Sequence, residues 1–368
     1  MQSIFGNISS AALLKVSLFA WIFYKACTLN LWFSMYREFP VVSPLNVTLL
    51  PNNTISDVIS GLTLLLLIIS VFRVKRWILI LLLTLEILLC SSDMMRWQPT
   101  VFQYMITLMV YLIKPKEFKF YLIFILSATY FFAGLNKLSL RFINMGWSVL
   151  ILKNYLGIPV EIAYHKIVKA VGFIIPITEM LAGVLLLTRF YKYGLYLAIM
   201  THVFILICLS PIGFEFSPAI MSWNLVLLFY CLYFLNTQTR IVLKKNLFLA
   251  LFTLLIFGLP FLNLIDRYYP YFSFDMVSGT KYTLHLKIEN PAALTDSDRI
   301  KKYIDPETSE IDVNSWSFEN LKVPFTHSYF LFDRFISKFE KENTDLDFIA
   351  ETLPYPYKNR VLYYPLEN

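Results

Sequence analysis

The sequence predicts an all-α polytopic membrane bundle of about nine transmembrane helices, followed by a small C-terminal extracytoplasmic α+β domain. Three observations predict it. Hydrophobic residues make up 57% of the 368 positions and charged residues 15%, with a mean hydropathy of +0.60, far from the mixed composition of a soluble domain. Apolar runs of the roughly 20 residues needed to cross a bilayer recur from the N-terminus to Ile265. Beyond that point the chain turns polar and partly alternating.

The runs place spans at 11–34, 55–72, 76–91, 97–114, 118–138, 166–188, 191–209, 217–236 and 246–265. The first lacks a basic leader and a small-residue cleavage site, so it is expected to be a retained helix. The loops then alternate in charge. "RVKR" (73–76), "KPKEFK" (114–119), "RFYK" (189–192) and "RIVLKK" (240–245) are basic, whereas "SSD" (91–93) and "SPIGFEFSP" (210–218) are not. By the positive-inside rule the basic loops are cytoplasmic. An odd number of spans then puts the N-terminus in the cytoplasm and the polar tail outside. This divides the chain into a membrane domain, 1–265, and an extracytoplasmic domain, 266–368.

Between the fifth and sixth spans lies "GWSVLILKNYLG", too short to cross and expected to be interfacial or re-entrant. The loop 37–54 holds two Asn-x-Thr matches, Asn46 and Asn52, a short pattern frequent by chance. In the tail, "KYTLHLKIE" alternates through Tyr282, Leu284, Leu286 and Ile288 and predicts a strand, and 328–342 has helical spacing of its apolar residues. The net charge of +7 is distributed among the loops rather than on one face, which argues against a nucleic-acid partner. The four cysteines, Cys27, Cys90, Cys208 and Cys231, have no paired spacing, so neither a disulfide framework nor a metal site is expected.

Apart from other charges near the cytoplasmic or outer ends of the spans, the ionisable residues that bear on the bundle are few: Lys15, Lys25, Glu86, Lys137, Glu179 and His202. Each costs about 2.5–3.5 kcal/mol to insert and so tends to face the bundle interior or water. Lys15 and Lys25 fit snorkelling or pairing, Glu86 being an available partner for Lys25. His202 fits a hydrogen-bonded packing histidine, and Lys137, at a helix end, fits an interfacial anchor. One pattern points elsewhere. Tyr130, Gly134 and Lys137 recur at i, i+4 and i+7, which puts the lysine on a glycine-bearing face of the kind that marks close helix approach. A lysine pressed into such a face is a candidate base.

"YFFAGLNKL" followed by "FINMGW", then "ITEMLAGVLLL" (177–187) and "IMTHVFILICLSPIGFEFSPAIMSWNLVLL" (199–228), resembles the HTTM family, the membrane domain shared by vitamin K-dependent gamma-glutamyl carboxylases and bacterial relatives. The resemblance covers roughly residues 1–240. It implies that Lys137 is the catalytic base that deprotonates reduced vitamin K or another quinol. Oxygen then yields a stronger base that takes a proton from the gamma carbon of a glutamate, and carbon dioxide adds there. It further implies supporting catalytic roles for His202 and Glu179, and cofactor-site roles for Gly134, which permits close approach, and Trp147, at the entrance. The chain departs from animal carboxylases in having Asn136-Lys137 where they have two lysines, and in its short tail. The resemblance therefore implies the bacterial branch, in an inner membrane, acting on an exported peptide or protein.

A second reading is a non-catalytic member of the same fold that assists maturation or export of a secreted peptide through its tail. A transporter is disfavoured, since no inverted repeat or matched pair of broken helices is seen. No phosphate-binding loop, dinucleotide fingerprint or His-Glu-x-x-His metal helix is present.

Overall fold

The computed structural model describes residues 8–44, 49–50, 52–213, 217–237, 246–265, 267–275, 283–291, 300–325, 328–344, 346–352 and 361–363. Asn46 and Tyr282 lie outside the described residues. The chain is mostly helical, with seven helices long and apolar enough to cross a membrane. They fit a multi-pass integral membrane protein in a lipid bilayer.

The helices are α1 (Ser10–Cys27), α2 (Leu29–Trp32), α3 (Asn53–Phe72), α4 (Arg76–Ser92), α5 (Pro99–Ile113), α6 (Phe118–Lys137), α7 (Val160–Ala163), α8 (Lys166–Gly172), α9 (Ile174–Leu186), α10 (Tyr191–Cys208), α11 (Pro218–Asn236) and α12 (Leu247–Thr253), then α13 (Val313–Leu321) and α14 (Tyr329–Glu342). Two of the nine expected spans, α4 at 17 residues and α5 at 15, are helical but shorter than the other seven. The first span ends sooner than its apolar run, with a break at Thr28 before α2.

Prolines explain two irregular spans. Pro176 has no N–H for the carbonyl of Gly172, and the chain breaks there into α8 and α9. Pro260 likewise follows a change of winding after α12, through π turns at Leu254–Gly258 to 3-10 turns at Leu259–Ile265. The loop after α6 winds as a π-helix, Phe142–Tyr155. At ~1.5 Å per residue even an α-helix of that length reaches only about 21 Å, short of the ~30 Å hydrocarbon core.

Two compact units form. The first comprises Met1–Cys27, Leu64–Thr84 and Pro99–Gly279, and the second Thr28–Thr63, Leu85–Gln98 and Thr280–Asn368. In the first, α6 packs on α9, α9 on α10, α10 on α11, α11 on α1, α1 on α5, and α5 back on α6, a closed ring of helices. Polar pairs lock it: Ser17 on α1 bonds Tyr230 on α11, and Trp223 on α11 donates to Gln103 on α5 at 2.7 Å. Lys15 reaches the carbonyl of Phe72 at 3.3 Å. Lys25 is buried in this unit, and Glu86 is buried in the other.

In the second unit, β1 (Leu284–Ile288), β2 (Glu310–Asp312), β3 (Phe348–Thr352) and β4 (Val361–Leu362) form an antiparallel sheet in the order β2-β1-β3-β4. Leu284, Leu286 and Ile288 are buried and Lys287 is exposed, as the alternation predicts. Helix α14 buries Leu331, Phe332, Phe335, Ile336 and Phe339 on one face. The tail does not close its core alone. Phe39, from the loop after α2, stacks on Phe335 at 5.3 Å between centroids and lies 4.9 Å from Trp316. Asn320 holds it there, accepting from the backbone N–H of Glu38 and of Phe39 at 3.0 Å each.

Candidate functional site

Gly134 and Gly183 bring α6 and α9 together. A Cβ on Gly134 would stand 2.5 Å from the carbonyl oxygen of Pro176 and 2.7 Å from the amide nitrogen of Met180. A Cβ on Gly183 would stand 2.6 Å from both the Phe131 nitrogen and the Ser127 carbonyl oxygen. Backbone therefore meets backbone along this seam, and Ser127 Oγ donates across it to Gly183 O at 2.6 Å. The glycine face expected from the i, i+4, i+7 pattern is the α9-facing side of α6.

One turn beyond Gly134, Lys137 meets Glu179, one residue before Met180. Lys137 Nζ donates to both carboxylate oxygens at 2.7 Å. The lysine side chain is 11% exposed and that of Glu179 3%. The ammonium is thus turned into the seam. Its neighbour Asn136 ties the end of α6 to the segment after the last span, donating to Ser273 O at 2.8 Å while accepting from Asn263 Nδ2 at 3.3 Å.

Tyr130, two turns earlier on α6, opens a second polar chain inside the ring. Its hydroxyl lies 2.6 Å from His202 Nε2 on α10 and 3.1 Å from Cys231 Sγ on α11. His202 Nδ1 lies 2.9 Å from Asn224 Oδ1, and Asn224 Nδ2 donates to Ile220 O at 2.9 Å. With Asn224 Oδ1 as acceptor and a neutral imidazole, the network assigns the proton order. Asn224 Oδ1 accepts from His202 Nδ1–H, Nε2 accepts from the Tyr130 hydroxyl, and the Tyr130 oxygen accepts from the Cys231 thiol. Every polar atom in the chain finds a partner, and all four residues are buried.

The structure thus brings Lys137, Glu179 and Gly134 together and places His202 on the adjoining Tyr130 chain. Trp147 does not join them. Its indole donates to Val168 O at 2.8 Å, and its ring fills the space over Gly172 beside Ile151 and Leu152. Tyr130, Asn224 and Cys231 were not among the residues expected at the site. Tyr130 alone carried a signal, its place on the Gly134–Lys137 face.

The same seam borders an apolar cleft of about 340 Å³, lined by Ser127, Phe131, Gly183, Val184, Phe257 and Phe261, with Leu187 and Thr188. Among the described residues no group of three or more His, Cys, Asp or Glu is placed to hold a metal. The four cysteines are free. No family model, no curated protein and no solved structure matches this chain.

Proposed function

We propose that this chain is a quinol-linked membrane enzyme of the HTTM type, in which Lys137 is the base and glutamate in an exported peptide or protein is carboxylated. The observation that carries the reading is the Lys137–Glu179 pair, held at 2.7 Å to both oxygens on a glycine-packed seam. Moving one proton from Lys137 Nζ to a Glu179 oxygen leaves the pair neutral overall and frees the amine. That transfer separates no charge in a low-dielectric site. Tyr130 and His202 hold the neighbouring helices in register, and Asn136 fixes the last turn of α6.

The aromatic cleft beside Ser127 and Gly183 fits an apolar cofactor tail, and Lys137, about 15 Å along α6 at ~1.5 Å per residue, fits its polar head. A bound reduced quinone, with oxygen, supplies the strong base that takes the gamma proton of glutamate, and carbon dioxide is the co-substrate. The chain's part is to accept the first proton at Nζ and to shield the site from water. In this reading α4 and α5 complete nine spans, the N-terminus is cytoplasmic, and residues 266–368 lie outside a bacterial inner membrane.

The test is quinol oxidation to epoxide and fixation of labelled bicarbonate into a Glu-containing peptide in nanodiscs, for the native protein, Lys137→Ala and Glu179→Gln. Epoxide that disappears in both variants, with folding retained, supports the reading. Turnover that survives Lys137→Ala refutes it. The bidentate closure of the pair also favours a second reading, in which it is a structural staple and the protein assists export or maturation of a secreted peptide. Absence of both products, together with co-purification of a secreted peptide that is lost on deleting 267–368, selects that reading.

A further inference from the structure

The second unit holds a cavity of about 380 Å³ whose walls differ in charge. One wall is a face of α14, where Arg334, Lys338 and Lys341 recur at i, i+4 and i+7. Across from it, Asn53, Ser56 and Asp57 come from the start of α3, and Ser34 precedes it. Arg37, Asp93 and Arg96 line the cavity as well.

The acids lining this cavity are already engaged. Asp93 accepts from Arg37 and lies 3.6 Å from Arg96. Asp57 accepts from Ser34 N and Oγ at 2.8 and 2.6 Å. Glu342 meets Lys338 at 2.9 Å, but both ends are more than 40% exposed, and such i, i+4 pairs hold weakly. Arg37 and Arg96 are also engaged, donating to the carbonyls of Leu31, Phe39, Pro40, Leu89 and Trp32, and Arg96 donates to Ser56 Oγ at 3.0 Å, which leaves that hydroxyl its own proton to donate. What remains available is the α14 wall. Arg334 rests over the Phe330 ring at 5.1 Å, and Lys341 has no acid partner among the described residues.

Three cations on one side, and on the other amide and hydroxyl groups beside an Asp57 carboxylate already bonded by Ser34, suit a phosphate oxyanion that carries a polar substituent. The place of the cavity at the start of α3 indicates its source. The first turn of α3, one of the seven membrane-length helices, lines it, and the end of such a helix lies at the headgroup level. We propose that the cavity binds the phosphate of an anionic phospholipid headgroup, with Arg334, Lys338 and Lys341 on the phosphate and Asn53 and Ser56 on the headgroup hydroxyls. This site is independent of the Lys137 seam.

The test is native mass spectrometry of the full-length protein, stripped of lipid in detergent and titrated with phosphatidylglycerol, phosphatidylcholine or glycerol 3-phosphate. Phosphatidylglycerol is expected to bind at least about tenfold tighter than phosphatidylcholine. The variant R334Q/K338Q/K341Q loses that preference, while K287Q/K301Q/K322Q, which removes the same charge at exposed positions outside the cavity, keeps it. Equal thermal midpoints of the two variants show that folding is not the cause. Preference that persists in the first variant, or falls equally in both, overturns the proposal. Glycerol 3-phosphate bound at the same wall without any lipid preference overturns the lipid as the ligand.

Discussion

Removing one end of the Lys137–Glu179 pair is expected to cost more than removing both. Lys137→Met leaves a carboxylate that is 3% exposed, with two oxygens that each lose a donor at 2.7 Å. An uncompensated buried charge of this kind costs about 3–5 kcal/mol. Glu179→Leu strands an ammonium on a side chain that is 11% exposed, at the last residue of α6. It retains some route to water, so its cost falls at the lower end, about 3 kcal/mol. The double variant replaces both charges with apolar side chains of similar length, and its cost is expected to be within about 2 kcal/mol of native. The coupling energy is therefore at least about 4 kcal/mol. Unfolding free energies of the four proteins in one mixed-micelle system measure it. Additive losses, with coupling below about 0.5 kcal/mol, would refute the claim that these charges are buried on each other.

Gly134→Ala and Gly183→Ala each force backbone apart where a Cβ would stand 2.5–2.6 Å from its neighbours, and should each destabilise by about 1–3 kcal/mol in the same assay. Gly61→Ala, with nothing within 4 Å of its Cβ, should instead stabilise α3 by up to about 1 kcal/mol. Tyr130→Phe removes the hydroxyl bonded to His202 Nε2; a loss of about 1–3 kcal/mol is expected, and an unchanged midpoint would show that this bond does not stabilise the ring of helices. Asp93→Asn leaves the buried guanidinium groups of Arg37 and Arg96 without their carboxylate, costing about 3–5 kcal/mol and opening the second unit to protease. The Tyr303 phenol is pushed up to about 12, first by burial and then by Glu38, whose Oε2 accepts from it at 2.6 Å. A raised folded value means that this stabilisation is complete below pH ~10 and fades as pH climbs toward 12. The native-minus-Tyr303→Phe absorbance difference at high pH should show it, shifted downward in Glu38→Gln.

The membrane helices were legible because apolar length and a 3.6-residue face are properties of the local chain. The Gly134–Lys137 face was read from spacing alone, and its partner on α9 was an acid already singled out within a span. The breaks at Phe173 and after Thr253 follow from Pro176 and Pro260, which a hydropathy window averages away. The Tyr130–His202–Asn224–Cys231 chain was less accessible, because its members come from three helices whose order of packing no local pattern encodes. The cluster of Arg37, Asp93 and Arg96 was hidden for a different reason. Charged residues in short loops look like solvated surface until the loops are found packed together.

The position of Phe39 sets an order on biogenesis. Its pocket is built from Trp316, Phe325 and Phe335, roughly 280 residues downstream. At ~5–20 residues per second, synthesis leaves this ring without its partners for about 14–55 s. For that interval an early segment displays an aromatic anchor that only the last part of the chain can cover. Synthesis through Phe335 is thus needed before this pocket can close. A chain stalled or truncated before Trp316 leaves this aromatic without any of its three ring partners.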